Sequence, residues 1–372
     1  MKTTVVKQGR IYSETLSYDG FSYNPEDCIA CPALADLHVH FREPGQEYKE
    51  TIRTGSMAAA HGGYSLVCPM PNLVPVPDSP GHLAMELDII KSSSVVEAVP
   101  YASITLGRKG RELVDMEKLA PYVAGFSDDG SGIADRSLMH DAMNGAKALD
   151  KIITAHCEDT AFQPEDARSE WSEVERDCEL SLLTGARLHI CHVSSKESIE
   201  IIRQAKKSGT PVTCETAPHY LTLTKEDRMP GGRFTMNPPL RSAADRDALL
   251  TALADGTIDA IATDHAPHSA QEKAAGANGI VGLETAFPVL FTCLCKKGII
   301  PVEKLVDLMS GNPRRIFGFP DTDDIVVFDV TNPYIINPGD FLSKGRSTPF
   351  EGWKVFGRCL LTVHNGKIIW QS

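Results

Sequence analysis

Four histidines and two acidic positions, each closing an apolar run, carry the chemistry of this chain. In Leu34-Ala35-Asp36-Leu37-His38-Val39-His40-Phe41, apolar and β-branched residues lead in and Pro44-Gly45 closes the stretch. That is the pattern of a buried strand running into a turn. Residues two apart on a strand share a face, so His38 and His40 project side by side, as two imidazoles on one divalent ion would. Arg42 continues the face. Its planar fork matches a carboxylate, although an ion pair with Glu43 or Glu47 would explain a plain surface arginine. Other apolar runs end in Asn72, in Asp128-Asp129, in His156, in His192, and in Asp264 with His268. Imidazole and carboxylate donors suit Zn²⁺, with Mn²⁺, Co²⁺ or Fe²⁺ as substitutes. Six donors are too many for one tetrahedral zinc but suit two ions sharing a carboxylate and a water, which lowers the water's pKa and polarises a substrate oxygen. A leaving amine still needs a proton. An aspartate touching both metal and water can take it during attack and return it to nitrogen, and Asp264 is the candidate.

The elements that must hold these residues follow a rhythm. Strands are expected at 29–41, 64–70, 95–105, 122–126, 151–156, 187–193, 211–215 and 257–263, with helical stretches between them such as 48–61, 137–150, 170–184, 196–207 and 243–254. The segment 196–207 is plainly amphipathic, with Ile199, Ile201, Ile202 and Ala205 apolar and Gly209 as stop. Eight β/α repeats predict a closed, TIM-like (β/α)8 barrel of the α/β class. Barrel sites lie at the C-terminal ends of the strands, which is where the polar residues cluster. Short runs before residue 30 and strands near 325–329 and 359–370 predict a small β domain formed by both termini, residues 1–30 with 319–372, beside a hydrolase barrel over 31–318.

Composition narrows the function classes. The 372 residues are 42% hydrophobic and 23% charged, with a formal net charge of -12 and no run of Lys or Arg. An acidic chain without a basic patch argues against nucleic acid or an anionic membrane as partner. It leaves an anionic small molecule to be drawn in by a few local cations. Residues 1–20 lack the apolar core of a signal peptide, and no apolar run is long enough to span a bilayer. Ten scattered cysteines suit a reducing cytosol, hence a cytoplasmic protein. Cys28-x-x-Cys31 has no second pair and reads as two buried thiols rather than a zinc knuckle.

Six motifs, His38-Val39-His40, Ser127-Asp128-Asp129-Gly130, His156-Cys157-Glu158-Asp159, Ile190-Cys191-His192-Val193-Ser194, Met236-Asn237-Pro238-Pro239-Leu240-Arg241 and Ala262-Thr263-Asp264-His265-Ala266-Pro267-His268, together resemble the amidohydrolase superfamily and, within it, class I dihydroorotase. The resemblance runs from about Ala33 to Gly352. It implies reversible hydrolysis and cyclisation between L-dihydroorotate and N-carbamoyl-L-aspartate, in de novo pyrimidine (UMP) synthesis. By motif it implies that His38, His40 and Asp264 hold one zinc, that His156 and His192 hold a second, and that Asp129 rather than Asp128 bridges them. Arg42, Asn72, Asn237 and His268 would bind substrate, with Arg42, Asn72 and His268 on its carboxylate. A metal-bound hydroxide would attack the ring amide while Asp264 carries the proton. One or two zinc ions per subunit, a homodimer and an association with aspartate transcarbamoylase are further implications.

Two alternatives stand beside this reading. Hydantoinases, dihydropyrimidinases and allantoinases usually carry a carboxylated lysine at the bridge, and no lysine lies between Tyr122 and Gly130. A non-catalytic dihydroorotase-like scaffold would be expected to lose ligands, and none is missing. Among the other histidines, His61, His82 and His140 fall on expected helices as packing or surface residues. His189 should face away from His192, His265 should point elsewhere, and His219 should be a supporting or packed, hydrogen-bonded side chain. The polar, Gly/Ala-rich stretch 268–280 reads as a loop at the rim, a lid candidate.

Overall fold

The computed structural model describes residues 27–372 throughout, and before them the backbone of the strands Thr3–Lys7, Arg10–Glu14, Ser17–Tyr18 and Phe21–Ser22. The barrel begins at Leu34–Val39, whose six residues are all buried and which pairs in parallel with the equally buried Tyr64–Pro69. Continuous burial on both faces is what a parallel strand covered by helices requires. Glu97–Ala98 follows in parallel. A bridge from Ala102 to Phe126, and another from Phe126 to Ile153, carry the sheet across the next two positions. Ile153–Ala155, Leu188–Ile190, Val212–Thr216 and Ala260–Ile261 continue it. A last parallel bridge joins His265 to Val39 and closes the ring. The expected barrel is present, with shorter strands: 95–105 reduces to Glu97–Ala98 and the bridge residue Ala102, and 122–126 to the one residue Phe126 with its two bridges.

Helices form where the sequence supplies caps. Lys196–Lys207 matches its expected bounds, with the Ser195 hydroxyl accepting from Ser198 N. Ala243–Asp255 starts in a reciprocal box between Ser242 and Asp245. Ile52–Gly62 starts four residues later than expected because its cap is Thr51, and it ends at Gly63 with φ +93°. A Cβ there would lie 2.7 Å from the Phe328 ring, so only glycine allows this helix to turn against the terminal sheet.

The stretch 29–41, expected as one strand, is two. Cys28–Pro32 belongs to a six-stranded terminal sheet ordered Lys367–Gln371, Arg358–His364, Ile325–Asp329, Cys28–Pro32, Thr3–Lys7, Arg10–Glu14. Ala33, fully buried, passes the chain into the barrel. Phe328 of that sheet stacks on barrel-side Phe287 at 3.6 Å between ring centroids, so the sheet shares its apolar face with the barrel's helical shell. The ten cysteines are unpaired, Cys28 and Cys31 among the buried ones. No helix of the described residues is long and apolar enough to cross a membrane.

Candidate active site

The C-terminal ends of the strands surround a cavity of about 250 Å³. Nine of the ten expected site residues line it: His40, Arg42, Asn72, Asp129, His156, His192, Asn237, Asp264 and His268. His38, fully buried, sits beneath them. Three of these residues have left-handed backbone: Arg42 (φ +63°), His192 (φ +35°) and Asp264 (φ +48°). Non-glycine residues rarely occupy that region, and such strain concentrates at functional sites. For His192 the finding replaces the alternation argument. The strand ends at Ile190, so a sharp turn, not strand parity, directs this imidazole.

Asp129 is the centre of the array. Its Oδ1 lies 3.3 Å from His38 Nε2, 3.5 Å from His156 Nδ1 and 3.7 Å from His192 Nε2, and its Oδ2 lies 3.6 Å from His40 Nε2. Asp264 Oδ1 is 3.1 Å from His40 Nε2 and 3.6 Å from His38 Nε2. Ligands about 2.0–2.2 Å from a tetrahedral zinc stand about 3.3–3.6 Å from each other, and these separations fall in and around that range. His38 Nε2 and Asp129 Oδ1 are buried and make no hydrogen bond, a costly arrangement unless something else engages them. The donor set around His38, His40, Asp129, His192 and Asp264 therefore fits a divalent cation. Asp128, the neighbouring acid, turns away to accept from Ile104 N at 2.8 Å, from Thr105 N at 3.1 Å and from the Thr105 hydroxyl.

The proton positions follow from the partners. An ionised carboxylate only accepts. Glu215 Oε1, 3.1 Å from His38 Nδ1, therefore places the proton there and leaves the Nε2 lone pair facing the cavity. Glu158 Oε2, 2.9 Å from His156 Nε2, does the same for that ring and leaves Nδ1, which lies 2.9 Å from His192 Nε2, as the acceptor end. For His40 the logic runs through an amide. Asn72 Nδ2 donates to Asp129 Oδ2 at 2.9 Å, so its Oδ1 faces His40 Nδ1 at 2.7 Å and takes the proton. With a cation in place of a proton, three imidazoles would thus present unprotonated nitrogen to one region, as metal ligands do when their outer N–H is held.

The field is that of a cation site. Burial disfavours charge on His38 and His156, yet Asp129 raises the first well above the usual imidazole range, and Asp129 with Glu158 pushes the second to about 9. Burial would favour a neutral Asp129, yet His38, His156 and His192 hold it well below the usual carboxylate range. Asp264 is likewise held low, against its burial, by His40 and His38.

In the same cavity lining, Arg42 Nε donates to Pro267 O at 3.3 Å and its Nη2 lies 3.4 Å from His268 Nε2. Burial and the Arg42 charge push His268 down to about 4, so it is neutral at ordinary pH. Asn72, expected as a substrate contact, lines the cavity with both ends of its amide already engaged, Nδ2 reaching both Asp129 Oδ2 at 2.9 Å and Asp129 O at 3.5 Å. The expected rim loop 268–280 contains the helix Ala270–Ala274, started by a reciprocal Ser269–Glu272 box. Lys273 beneath it donates to Thr235 O, Ala277 O and Gly279 O at 2.9, 2.6 and 2.6 Å, so the loop is docked, with Asn278 and Gly279 on the cavity wall.

The other histidines considered from the sequence sort as follows. His61, His82 and His140 lie on helices. His265 turns to Gly282 N and Glu50. His189 is absent from the cavity wall and bonds Glu215 Oε2 at 3.1 Å. His219 is packed, its ring 4.1 Å from that of Tyr220, and its buried Nε2 has no hydrogen bond. The sequence reading missed Glu158, Glu215 and Arg108. The last donates to Asp129 O and to Ser131 Oγ. Only Glu215 left a sequence signal, a charge inside the otherwise buried strand Val212–Thr216.

The fold is that of the hydantoinase-type cyclic-amide hydrolases. L-hydantoinase from Arthrobacter aurescens superposes with a TM-score of 0.88 over 99% of this chain and 95% of its own at 22% identity, and dihydropyrimidinase from Brevibacillus agri with 0.84 over 100% and 95% at 21%. At such identities the likeness speaks for the fold alone. Residues 28–173 match the family model described as dihydro-orotase-like. Dihydroorotase of Geobacillus sp. (strain WCH70) is 43% identical over 91% of this chain and 86% of its own length, and that of Fusobacterium nucleatum 46% over 90% and 85%. The chain belongs to the dihydroorotase family.

Proposed function

We propose that this chain catalyses the reversible interconversion of L-dihydroorotate and N-carbamoyl-L-aspartate. One observation carries the reading: metal donors and the Arg42–His268 pair line one and the same cavity of about 250 Å³. The array can serve a cyclic amide while the pair holds a free carboxylate. Zn²⁺, as one or two ions, would be held by His38, His40 and Asp264 on one side and by His156 and His192 on the other, with Asp129 between. When bound it supplies Lewis acidity and a lowered pKa for water.

The chain's own groups do the rest. Arg42 and His268, with Asn72, bind the carboxylate and set the ring's position. Asn237 meets the ring's polar edge. Asp264 takes a proton from the attacking water as the C–O bond forms, and returns it to the ring nitrogen as the C–N bond breaks. The same proton path run backward closes the ring.

Pyrimidine (UMP) synthesis in the cytoplasm, a homodimer and an association with aspartate transcarbamoylase complete the proposal. Its domain division is a barrel over 31–318 with a small β domain from 1–30 and 319–372. The hydantoinase-like fold favours a second reading as another cyclic-amide hydrolase, against which stands Asp129 where those enzymes usually place a lysine. The test is the ultraviolet absorbance of L-dihydroorotate mixed with chelated protein, before and after zinc is restored. Metal-dependent loss supports the proposal. Consumption of hydantoin or allantoin instead moves the assignment to a sister enzyme, and no turnover of any of them points to a scaffold.

A further inference from the structure

Glu158 Oε2 accepts two hydrogen bonds: from His156 Nε2 at 2.9 Å and from Asn237 Nδ2 at 2.8 Å. Its backbone is pinned in turn, Glu158 N donating to Glu173 Oε2 at 3.0 Å. Because a carboxylate only accepts, the NH₂ end of Asn237 must face Glu158, and the amide oxygen is the end left for a ligand. Asn237 lines the cavity, so its wall there offers an acceptor.

We propose that Glu158 is a positioning residue with two outputs. It fixes Asn237 as an acceptor that selects an N–H on the substrate ring, and through the same oxygen it holds the His156 ring with Nδ1 toward Asp129. The selected substrate class is a cyclic amide or ureide bearing a ring N–H at that edge. The inference rests on the function proposed above and adds that acceptor selection and metal retention share one carboxylate.

The test uses the full chain, with L-dihydroorotate and Zn²⁺ as probes. Wild-type turnover of L-dihydroorotate is measured first. If there is none, the function reading fails and takes this inference with it. With turnover present, Glu158→Ala is expected to raise KM about tenfold, with a smaller change in kcat. In substrate-free chelator competition it should weaken zinc binding by about 10–100-fold. Glu158→Gln should restore most of both, since its amide oxygen can accept the same two N–H groups. Asn237→Ala should raise KM but leave zinc affinity unchanged. In the Asn237→Ala background, Glu158→Ala should add no further KM effect. A full additional KM increase there, or a zinc affinity that Glu158→Ala does not move, overturns the proposal while the function reading stands. Losses from Glu158→Gln as large as those from Glu158→Ala, in a folded protein, would also overturn it.

Discussion

The amide oxygen of Asn72 lies 2.7 Å from His40 Nδ1, and the amide nitrogen of the same residue lies 2.9 Å from Asp129 Oδ2. One side chain thereby spans two proposed metal ligands and sets the tautomer of one from the charge of the other. Asn72→Ala should weaken zinc binding by about 10–100-fold as well as substrate affinity. Asn72→Asp should be worse, because it sets a second carboxylate against Asp129. Chelator competition without substrate separates the two effects; a KM change at unaltered zinc affinity would reduce Asn72 to a substrate contact.

Asp264 reaches both His38 and His40 from the last barrel strand position. Replacing it with Asn or Ala should lower kcat by at least about 10²–10⁴-fold and leave the circular dichroism of the barrel in place. Turnover near the wild-type rate in a folded, zinc-loaded variant would remove its assigned role.

The buried His38 Nε2 and Asp129 Oδ1, which make no hydrogen bond, predict linkage between metal and stability. Chelation should abolish turnover and lower Tm. Added zinc should restore both, with Tm rising as free zinc exceeds its Kd. A Tm indifferent to zinc would separate this cluster from metal binding.

Glu86 lies on the helix Pro80–Ser93 at 1% exposure, with Oε2 unbonded. Burial raises its pKa well above the usual range. As pH climbs past about 4.3, unfolded glutamate loses its proton while the buried one keeps it, so folding stability declines with pH until the folded pKa is reached. Glu86→Met should stabilise the protein by about 1–3 kcal/mol near neutral pH, and the gain should shrink toward pH about 4. Urea melts at the two pH values measure this; an equal or absent gain at both would contradict it.

Lys273 ties three backbone carbonyls around the stretch 268–280. Lys273→Met should leave those carbonyls unpaired and speed proteolytic cleavage within the loop. It should raise KM severalfold while the barrel's melting changes little, since the cost is local. A loop as resistant as the wild type would show that the helix Ala270–Ala274 holds itself.

Much of this architecture is readable in the sequence because burial leaves a strong signature. A histidine pair at strand spacing, or an acid after an apolar run, stands out against a buried background. Lys196–Lys207 is readable to the residue because its apolar stripe and both stops agree. Elsewhere the determining interactions are long-range. The Phe126 position is held by single bridges to Ala102 and Ile153, too little for any local propensity to report. Asp128 and Asp129 are chemically alike, and only the loop at Ile104 and Thr105 tells them apart. Glu158 looks like an ordinary surface acid until folding brings His156 to it. Strand parity picks out His192 but does not extend to it; a turn with positive φ gives the same direction for a different reason.

The bridge between Val39 and His265 makes the site the seam of the barrel. His40 and Asp264, 3.1 Å apart, are separated by 224 residues of chain. During synthesis the two histidines emerge early and wait for the acid until nearly the whole barrel has been made. A chain that stalls, is clipped, or misdocks its last strand therefore carries an incomplete set of donors. Full metal uptake would then report that the ring has closed, and catalytic competence would arrive as a late event of folding rather than building up strand by strand.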